Sequence, residues 1–368
     1  MLPYRINKMK NSVIGGEYYH SPFVLLKPKM LDLREYLKSK YPNKYYYFTG
    51  GGYSSITTII EDVGFENGTE ILLPSYLCAS MLLPFKNKCV KYGFYKVGID
   101  LEIDLDDLSH RIGRNTKAVL FINYFGFPPK QDVLDLLKKL KEDGVVLIED
   151  GVQSFFSNID PVGDYFFNSF RKYFPIDGSV IISNKPIRGA GRRVLNSKYL
   201  LLKSFGQILR MLTIRLPLLD FSRVFLKLFK SADDAYYKHS NVRFSGLNKY
   251  LLSKYCLSCI TKKRRENYIQ MLTKYHKAAL FKKLGSEVVP FGFPICVKNR
   301  DTFRTKLMEK NIFCPIHWVL PNEIDKEEFS ESWELSKTIL TFPLSENVSG
   351  NDLDYLEKNM EGLYGDLS

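Results

Sequence analysis

The chain lacks the features that most quickly decide a protein's class. No stretch reaches the roughly 18 uncharged apolar residues that a membrane-spanning helix needs. The opening MLPYRINKMKNSVIGGEYYH holds neither an apolar core nor a small-residue cleavage site, so no secretory signal is read there. The histidines, His20, His110, His239, His276 and His317, show no metal-ligand spacing, and no metal is expected. The six cysteines, Cys78, Cys89, Cys256, Cys259, Cys296 and Cys314, form no secreted framework, which suits a reduced, cytoplasmic chain. Cys256 and Cys259 make a lone CxxC in LNKYLLSKYCLSCI and read as two buried small residues one helical turn apart. There is no internal repeat and no low-complexity linker.

What is present is ordinary in bulk and uneven in detail. The 368 residues are 45% hydrophobic and 25% charged, which excludes disorder and a fibrous fold and allows one large or two unequal domains. Net charge is +13, and aromatics reach 14%, nearly all of them the 24 Tyr and 26 Phe. Such a charge suits nucleic acid, a membrane surface or an acidic small substrate. A nucleic-acid binder concentrates its charge. The one compact run, Lys262-Lys263-Arg264-Arg265, has no nucleic-acid motif beside it and reads as a solvated helix face, so no nucleic acid is expected.

Along the first two thirds, strand and helix patterns alternate. KYYYFT, EILLPSY, KCVKYGFYKV, KAVLFINYFG, VVLIED, DYFFNS and SVIISN read as strands. The apolar 117–126 and 145–150 are of the type buried on both faces. Helix patterns cover 53–62, IDLDDLSHRI with Asp104 as N-cap, and QDVLDLLKKLKEDG with Gly144 as C-cap. Alternation of this kind predicts an α/β fold with a mostly parallel central sheet sandwiched by helices. Residues 199–230 are rich in Leu and Phe, with Lys or Arg every few positions. They read as two helices, broken near Pro217, packed on the main domain or a partner subunit; a basic amphipathic membrane-surface segment is the alternative. The rest reads as a smaller α/β unit: helix KKRRENYIQMLTKYHKAALFKKL, strand VVPFGFPICV, helix RDTFRTKLMEKN, strands IFCPIHW and TILTFPL, and a last helix capped by Asn351 or Ser349. The expected division is 1–235, a large domain, and 236–368, a small C-terminal one.

Three features fall where α/β sheets place their sites, at the carboxyl ends of strands. Gly50-Gly51-Gly52-Tyr53-Ser54-Ser55 leads into a helix, and free N–H groups plus hydroxyls there make a phosphate cradle. Asp150 ends an otherwise apolar strand, where a carboxylate needs a cation or donor, or serves as a helix N-cap. Lys172 sits among Phe170, Tyr173 and Phe174 beside Arg171, so desolvation and a neighbouring charge both free its amine as a nucleophile. Phosphate cradle, anion for a heteroaromatic nitrogen and nucleophilic amine are the parts of a pyridoxal 5'-phosphate (PLP) enzyme.

Order and flanking residues strengthen this reading. Over roughly 45–190 and 235–365 the chain resembles the DegT/DnrJ-type sugar aminotransferases, fold-type I PLP enzymes. GGYSSI resembles the family's phosphate turn, which implies that Gly52, Tyr53 and Ser54 serve the phosphate. INYFGFP is similar to a strand end V-H-x-Y-G-x-P. VVLIEDGVQS is similar to V-I-E-D-A-A-Q, which implies Asp150 at the pyridine nitrogen and Gln153 against the ring hydroxyl. FFNSFRKYFPIDGSVIIS resembles the lysine segment, implying Lys172 as the Schiff-base anchor and Ser169 as a phosphate ligand. NVRFS resembles N-Y-R-M-S, whose asparagine reaches the neighbouring subunit's phosphate; this implies Asn241 and an obligate homodimer. Three departures mark a divergent branch. The lysine follows as SFRK, two residues closer than the common S-F-x-x-x-K. Cys78 stands where many relatives stack an aromatic ring, so that Tyr76 or Tyr124 covers the cofactor instead. Tyr53 replaces a small residue.

The resemblance implies transfer of an amino group, usually from glutamate, to a keto-sugar linked to a nucleotide, in surface polysaccharide or glycoside synthesis. Tyr124 and His317 are candidate substrate residues, a packed core histidine being the other reading of His317. A sugar dehydratase is disfavoured because dehydrating relatives replace the lysine. A non-catalytic member that binds a partner or a membrane through 199–230 is the alternative outside enzymology.

Overall fold

The structure, a computed structural model, describes residues 13–20, 23–188, 194–216, 218–239, 241–345 and 347–361. Its strands are β1 (Ile14–Gly15), β2 (Tyr45–Thr49), β3 (Glu70–Pro74), β4 (Lys91–Tyr95), β5 (Thr116–Ile122), β6 (Val146–Asp150), β7 (Tyr165–Phe167), β8 (Ser179–Ser183), β9 (Gly292–Cys296), β10 (Ile312–Phe313) and β11 (Ile339–Pro343). Seven of them form one sheet in the order β2-β8-β7-β6-β5-β3-β4. β8 pairs antiparallel with both neighbours, and every other pairing in the sheet is parallel.

The apolar runs explain the centre of this sheet. β5 and β6 bury both faces, since helices cover the sheet on either side. The helix Gln131–Glu142 buries Val133, Leu137 and Leu140, spaced four and three apart on one stripe. It stops before Gly144, whose φ of +89° favours a residue without Cβ. Asp104 caps the helix Leu105–Arg111 by accepting from the Asp107 N–H at 2.9 Å.

A second core lies around Tyr268, Phe293, Phe303, Leu340 and Leu356. There β9 pairs antiparallel with β11, while β1, far earlier in the chain, pairs parallel with β10. Ser349, the second of the two expected caps, accepts from the Asp352 N–H.

Segment 199–230 forms two helices, Ser197–Arg215 and Ser222–Tyr236, and Pro217 lies outside the described residues. They pack on each other through Leu209, Phe225 and Phe229, and on the main domain through Tyr199 and Tyr236, which meet Tyr53. No helix among the described residues is long and apolar enough to cross a membrane.

Two expectations are corrected here. Cys256 and Cys259 are joined in a disulfide at the start of the helix Leu257–Tyr275, partly and largely exposed, and not packed as buried thiols. Cys256 is the helix N-cap, which brings its sulfur over the first turn. The basic run is only half solvated. Arg264 is 1% exposed, with its guanidinium 4.7 Å from the Tyr173 ring centre and a 2.7 Å bond to the Phe291 carbonyl, and Arg265 donates to the Gly285 carbonyl at 2.7 Å. Helical period turns two of four consecutive residues inward whatever their charge.

Glu149 fixes the loop beyond β6. Its carboxylate accepts from Asn123 Nδ2 at 2.8 Å and from the Val162 and Gly163 N–H groups at 2.9 and 3.0 Å. Glu149→Ala strands three buried donors. Chemical denaturation should register a loss of about 2–4 kcal/mol.

Candidate active site

The carboxyl ends of β5, β6 and β7 converge, because parallel neighbours finish on the same edge. Asp150 ends β6 and is 6% exposed. Its Oδ1 accepts from the Val152 N–H at 2.8 Å. Burial raises its pKa to about 7, with Glu149 adding repulsion; the Val152 bond and the Lys172 charge oppose this.

Three residues later, buried Gln153 is held through its side-chain oxygen and its backbone carbonyl. Its Oε1 accepts from the Phe125 N–H at 2.7 Å, and its carbonyl accepts from the Tyr173 hydroxyl at 2.5 Å. Its Nε2 is buried with no acceptor among the described residues. A stranded buried donor at a strand end marks the place of a missing acceptor.

Lys172 closes the short turn Phe170–Lys172, whose form is set by the Lys172 N–H donating to the Ser169 carbonyl at 3.2 Å. Buried Phe170, Tyr173 and Phe174 surround the turn. Burial depresses the amine's pKa and Arg171 adds to it, while Cys78, Glu17 and Asp150 pull the other way. Lys172 faces a cavity of about 670 Å³, lined also by Arg171, His317, Glu17, Arg210 and Arg304.

The cradle forms at the helix Gly52–Val63, which has no side-chain cap. Gly51 is required: a Cβ there would lie 2.2 Å from the Tyr236 hydroxyl. That hydroxyl accepts from the Tyr53 N–H. Buried Ser169 faces Gly52, with a built Gly52 Cβ only 3.9 Å from its own. The Tyr53 side chain turns away and accepts from Asn87 Nδ2 at 2.6 Å. Ser54 Oγ accepts from the Val242 N–H at 3.2 Å. At Ser54 it is therefore the backbone that the helix start offers.

Tyr76 and Tyr124 are braces. The Tyr76 hydroxyl donates to the His317 carbonyl and accepts from the Trp318 N–H at 2.9 Å, and the Tyr124 hydroxyl donates to the Tyr76 carbonyl at 2.5 Å. They fasten the small-domain segment CPIHW to the large sheet. His317 lines the cavity, is bonded through Nδ1 to Thr341 Oγ1 at 2.9 Å, and packs edge-on against Phe125 and Phe291. Burial holds its pKa well below the ordinary value, with the Lys172 charge contributing, so it is neutral. Cys78 acts electrostatically on Lys172 and contacts Ser80 Oγ at 3.1 Å.

Asn241 is not brought to Lys172 within the chain. Its Nδ2 donates to the Glu61 carboxylate at 3.0 and 3.2 Å. Sequence reasoning missed Arg171 and Tyr236 as neighbours of the cradle, and Glu17, which pairs with Lys203 at 3.3 Å beside the cavity. The SFRK spacing was a signal for Arg171; nothing local marked the other two.

The residues fit PLP: a buried carboxylate with one donor, an unpartnered amide donor, a partly desolvated lysine and a cradle walled by Ser169. Asp150 also predicts a pH signature. A buried acid whose folded pKa is raised binds more protons folded than unfolded between about pH 4 and 7. Its penalty therefore grows with pH in that window and is complete above it. In cofactor-free protein Asp150→Asn should raise the melting temperature at pH 8 and have little effect near pH 4; equal shifts at both would contradict the assignment.

No protein-family model matches the sequence, and no curated protein sequence does. Solved structures do. A DegT DnrJ EryC1 StrS aminotransferase from Brucella abortus shares 17% identity at a TM-score of 0.66, over 95% of this chain and 92% of that one. Helicobacter pylori PseC, an aminotransferase of pseudoaminic acid biosynthesis, shares 14% at 0.66, over 95% and 94%. NtdA from Bacillus subtilis, solved with bound cofactor PMP, shares 16% at 0.63, over 96% and 78%. The chain therefore has the α/β fold of the DegT/DnrJ sugar aminotransferases over nearly its whole described length.

Proposed function

We propose that this protein is a PLP-dependent aminotransferase that moves an amino group from an amino-acid donor, glutamate by resemblance, to a nucleotide-linked keto-sugar. The observation that carries the reading is that Lys172, which opens on the cavity, and buried Asp150 act on each other's charge, on a fold whose solved neighbours are sugar aminotransferases.

When bound, PLP supplies an aldehyde that takes up an amino group and a ring that accepts an electron pair. Asp150 is the anion for the ring nitrogen, its single N–H bond leaving acceptor capacity. Gln153 Nε2 is the donor for the ring hydroxyl. Gly52 and Ser54, through the backbone, and Ser169 through its hydroxyl, hold the phosphate, the Tyr53 N–H being taken by the Tyr236 hydroxyl. Lys172 Nζ, its proton loosened by burial, anchors the cofactor and then moves the proton on and off the donor's α carbon. Neutral His317 and the arginines along the cavity receive the substrate. Asn241 belongs to this site only through a second copy, so the working form in this reading is a homodimer.

Two measurements test it. Protein reconstituted with PLP should gain a visible absorbance band that Lys172→Ala lacks, and amino transfer should fall by at least about a hundredfold in that variant. Nucleotide keto-sugars incubated with glutamate should gain an amino group, read by mass. A wild-type protein that takes up no PLP sinks the proposal.

A further inference from the structure

Two departures from the family pattern, Arg171 in SFRK and Tyr53 in the glycine turn, meet on one side chain. Tyr236 ends the helix Ser222–Tyr236, and its hydroxyl rests on the Tyr53 N–H. Its ring lies 6.1 Å from the Tyr53 ring and 5.0 Å from the Tyr199 ring, and the Arg171 guanidinium stands 5.4 Å from its centre. Tyr237 packs edge-on against Tyr53 at 5.4 Å. The helical hairpin is thus pinned to the cradle by rings, and its last turn holds an arginine there.

Arg171 has a charge to place. Among the described residues no carboxylate forms an ion pair with it; Asp177, Glu17 and Asp233 act on it only at longer range. It sits in one turn between Ser169 and Lys172, and it lines both the 670 Å³ cavity and an adjoining one of about 290 Å³. The hydroxyl of Ser169, a residue 5% exposed and facing Gly52, makes no hydrogen bond among the described residues. Through Tyr236, Arg171 stands beside the helix start that Ser169 faces. A guanidinium is suited to a phosphate, which accepts two parallel N–H bonds from its planar fork.

We propose that Arg171 is the cation of the cofactor-phosphate site, and that Tyr236 is the residue that positions it. This rests on the PLP reading above. A shorter lysine turn brings the arginine beside the anchor, and the hairpin supplies the ring face that keeps it over the cradle.

The test compares pyridoxamine phosphate with pyridoxamine, neither of which needs Lys172 to bind. Calorimetric titration of the cofactor-free full chain gives both dissociation constants, and their ratio reports the phosphate alone. Arg171→Ala should weaken pyridoxamine phosphate by about 10- to 100-fold and change pyridoxamine by less than about threefold, with Arg171→Lys between. Tyr236→Phe keeps the ring and should keep most of the preference, while Tyr236→Ala should lose it. Equal weakening of both ligands by Arg171→Ala, or of neither, overturns the assignment; so does an unchanged ratio with a raised KM for glutamate, which would give the arginine to the donor. A wild type that binds neither ligand fails the PLP reading itself, whereas one that binds both with no preference fails only this proposal.

Discussion

The site depends on two consecutive carboxylates at the end of β6. Glu149 and Asp150 are both buried, and strand alternation sends them to opposite faces of the sheet. Their environments then separate them. Burial raises both pKa values, but Glu149 receives three donors that oppose the rise, whereas Asp150 receives one and is raised to about 7. A buried carboxylate left this poorly solvated by the protein is unfavourable in the empty fold. It becomes reasonable once a cationic ring nitrogen shares the space. The same strain singles out Asp150 over Glu149 with no appeal to sequence pattern.

The second constraint is that the cavity lies between two cores that must keep register. Tyr76 and Tyr124 do this with backbone bonds, and the Phe291 N–H, ahead of β9, donates to the Phe125 carbonyl at 2.8 Å. β1 adds a third tie, since a segment preceding the large sheet in sequence pairs within the small unit. The chain that leaves β1 runs directly along the cavity as Gly15, Gly16, Glu17 and Tyr18. That side of the site wall is therefore tied to the second core, not to the sheet that carries Asp150.

Most of the fold was legible because its signals are local. Apolar runs gave β5 and β6, the Asp104 cap and Gly144 bounded their helices, and Leu/Phe spacing gave the hairpin. Asp150 and Lys172 were singled out through their place at strand ends, and Gln153 and Ser169 through the family resemblance. What stayed hidden is long-range. Nothing within Ile14–Gly15 says that it pairs with Ile312–Phe313, and nothing in SADDAYY says that Tyr236 reaches Tyr53. The CxxC was misread because helical spacing alone does not distinguish an interior turn from an N-terminal one, where the Cys256 sulfur accepts from the Cys259 N–H at 3.2 Å. The basic run was misread for a related reason, since charge was taken as a guide to exposure.

That last error explains the composition. A surplus of cations can be buried with fewer acids if carbonyls and ring faces share their place. Lys40 is bonded to the Phe155 carbonyl at 2.5 Å inside a cage of Tyr36, Tyr41 and Phe155, and burial there lowers its pKa to about 7. Arg300 spans the Ser336 and Ile339 carbonyls, and Lys254 reaches the Lys27 carbonyl at 2.9 Å with its amine 4.6 Å from the Tyr250 ring centre. Lys203, which also pairs with Glu17, and Arg210 lie over Phe229 and Phe225 in the hairpin, and Arg264 over Tyr173 beside Lys172. Each such contact contributes about 0.5–2 kcal/mol when desolvated and leaves the positive charge intact. The excess of Tyr and Phe and the net charge of +13 are thus two sides of one packing solution. Arg171 over Tyr236, next to Lys172 in sequence, is one more member of that set, and like the other arginines it keeps its full charge.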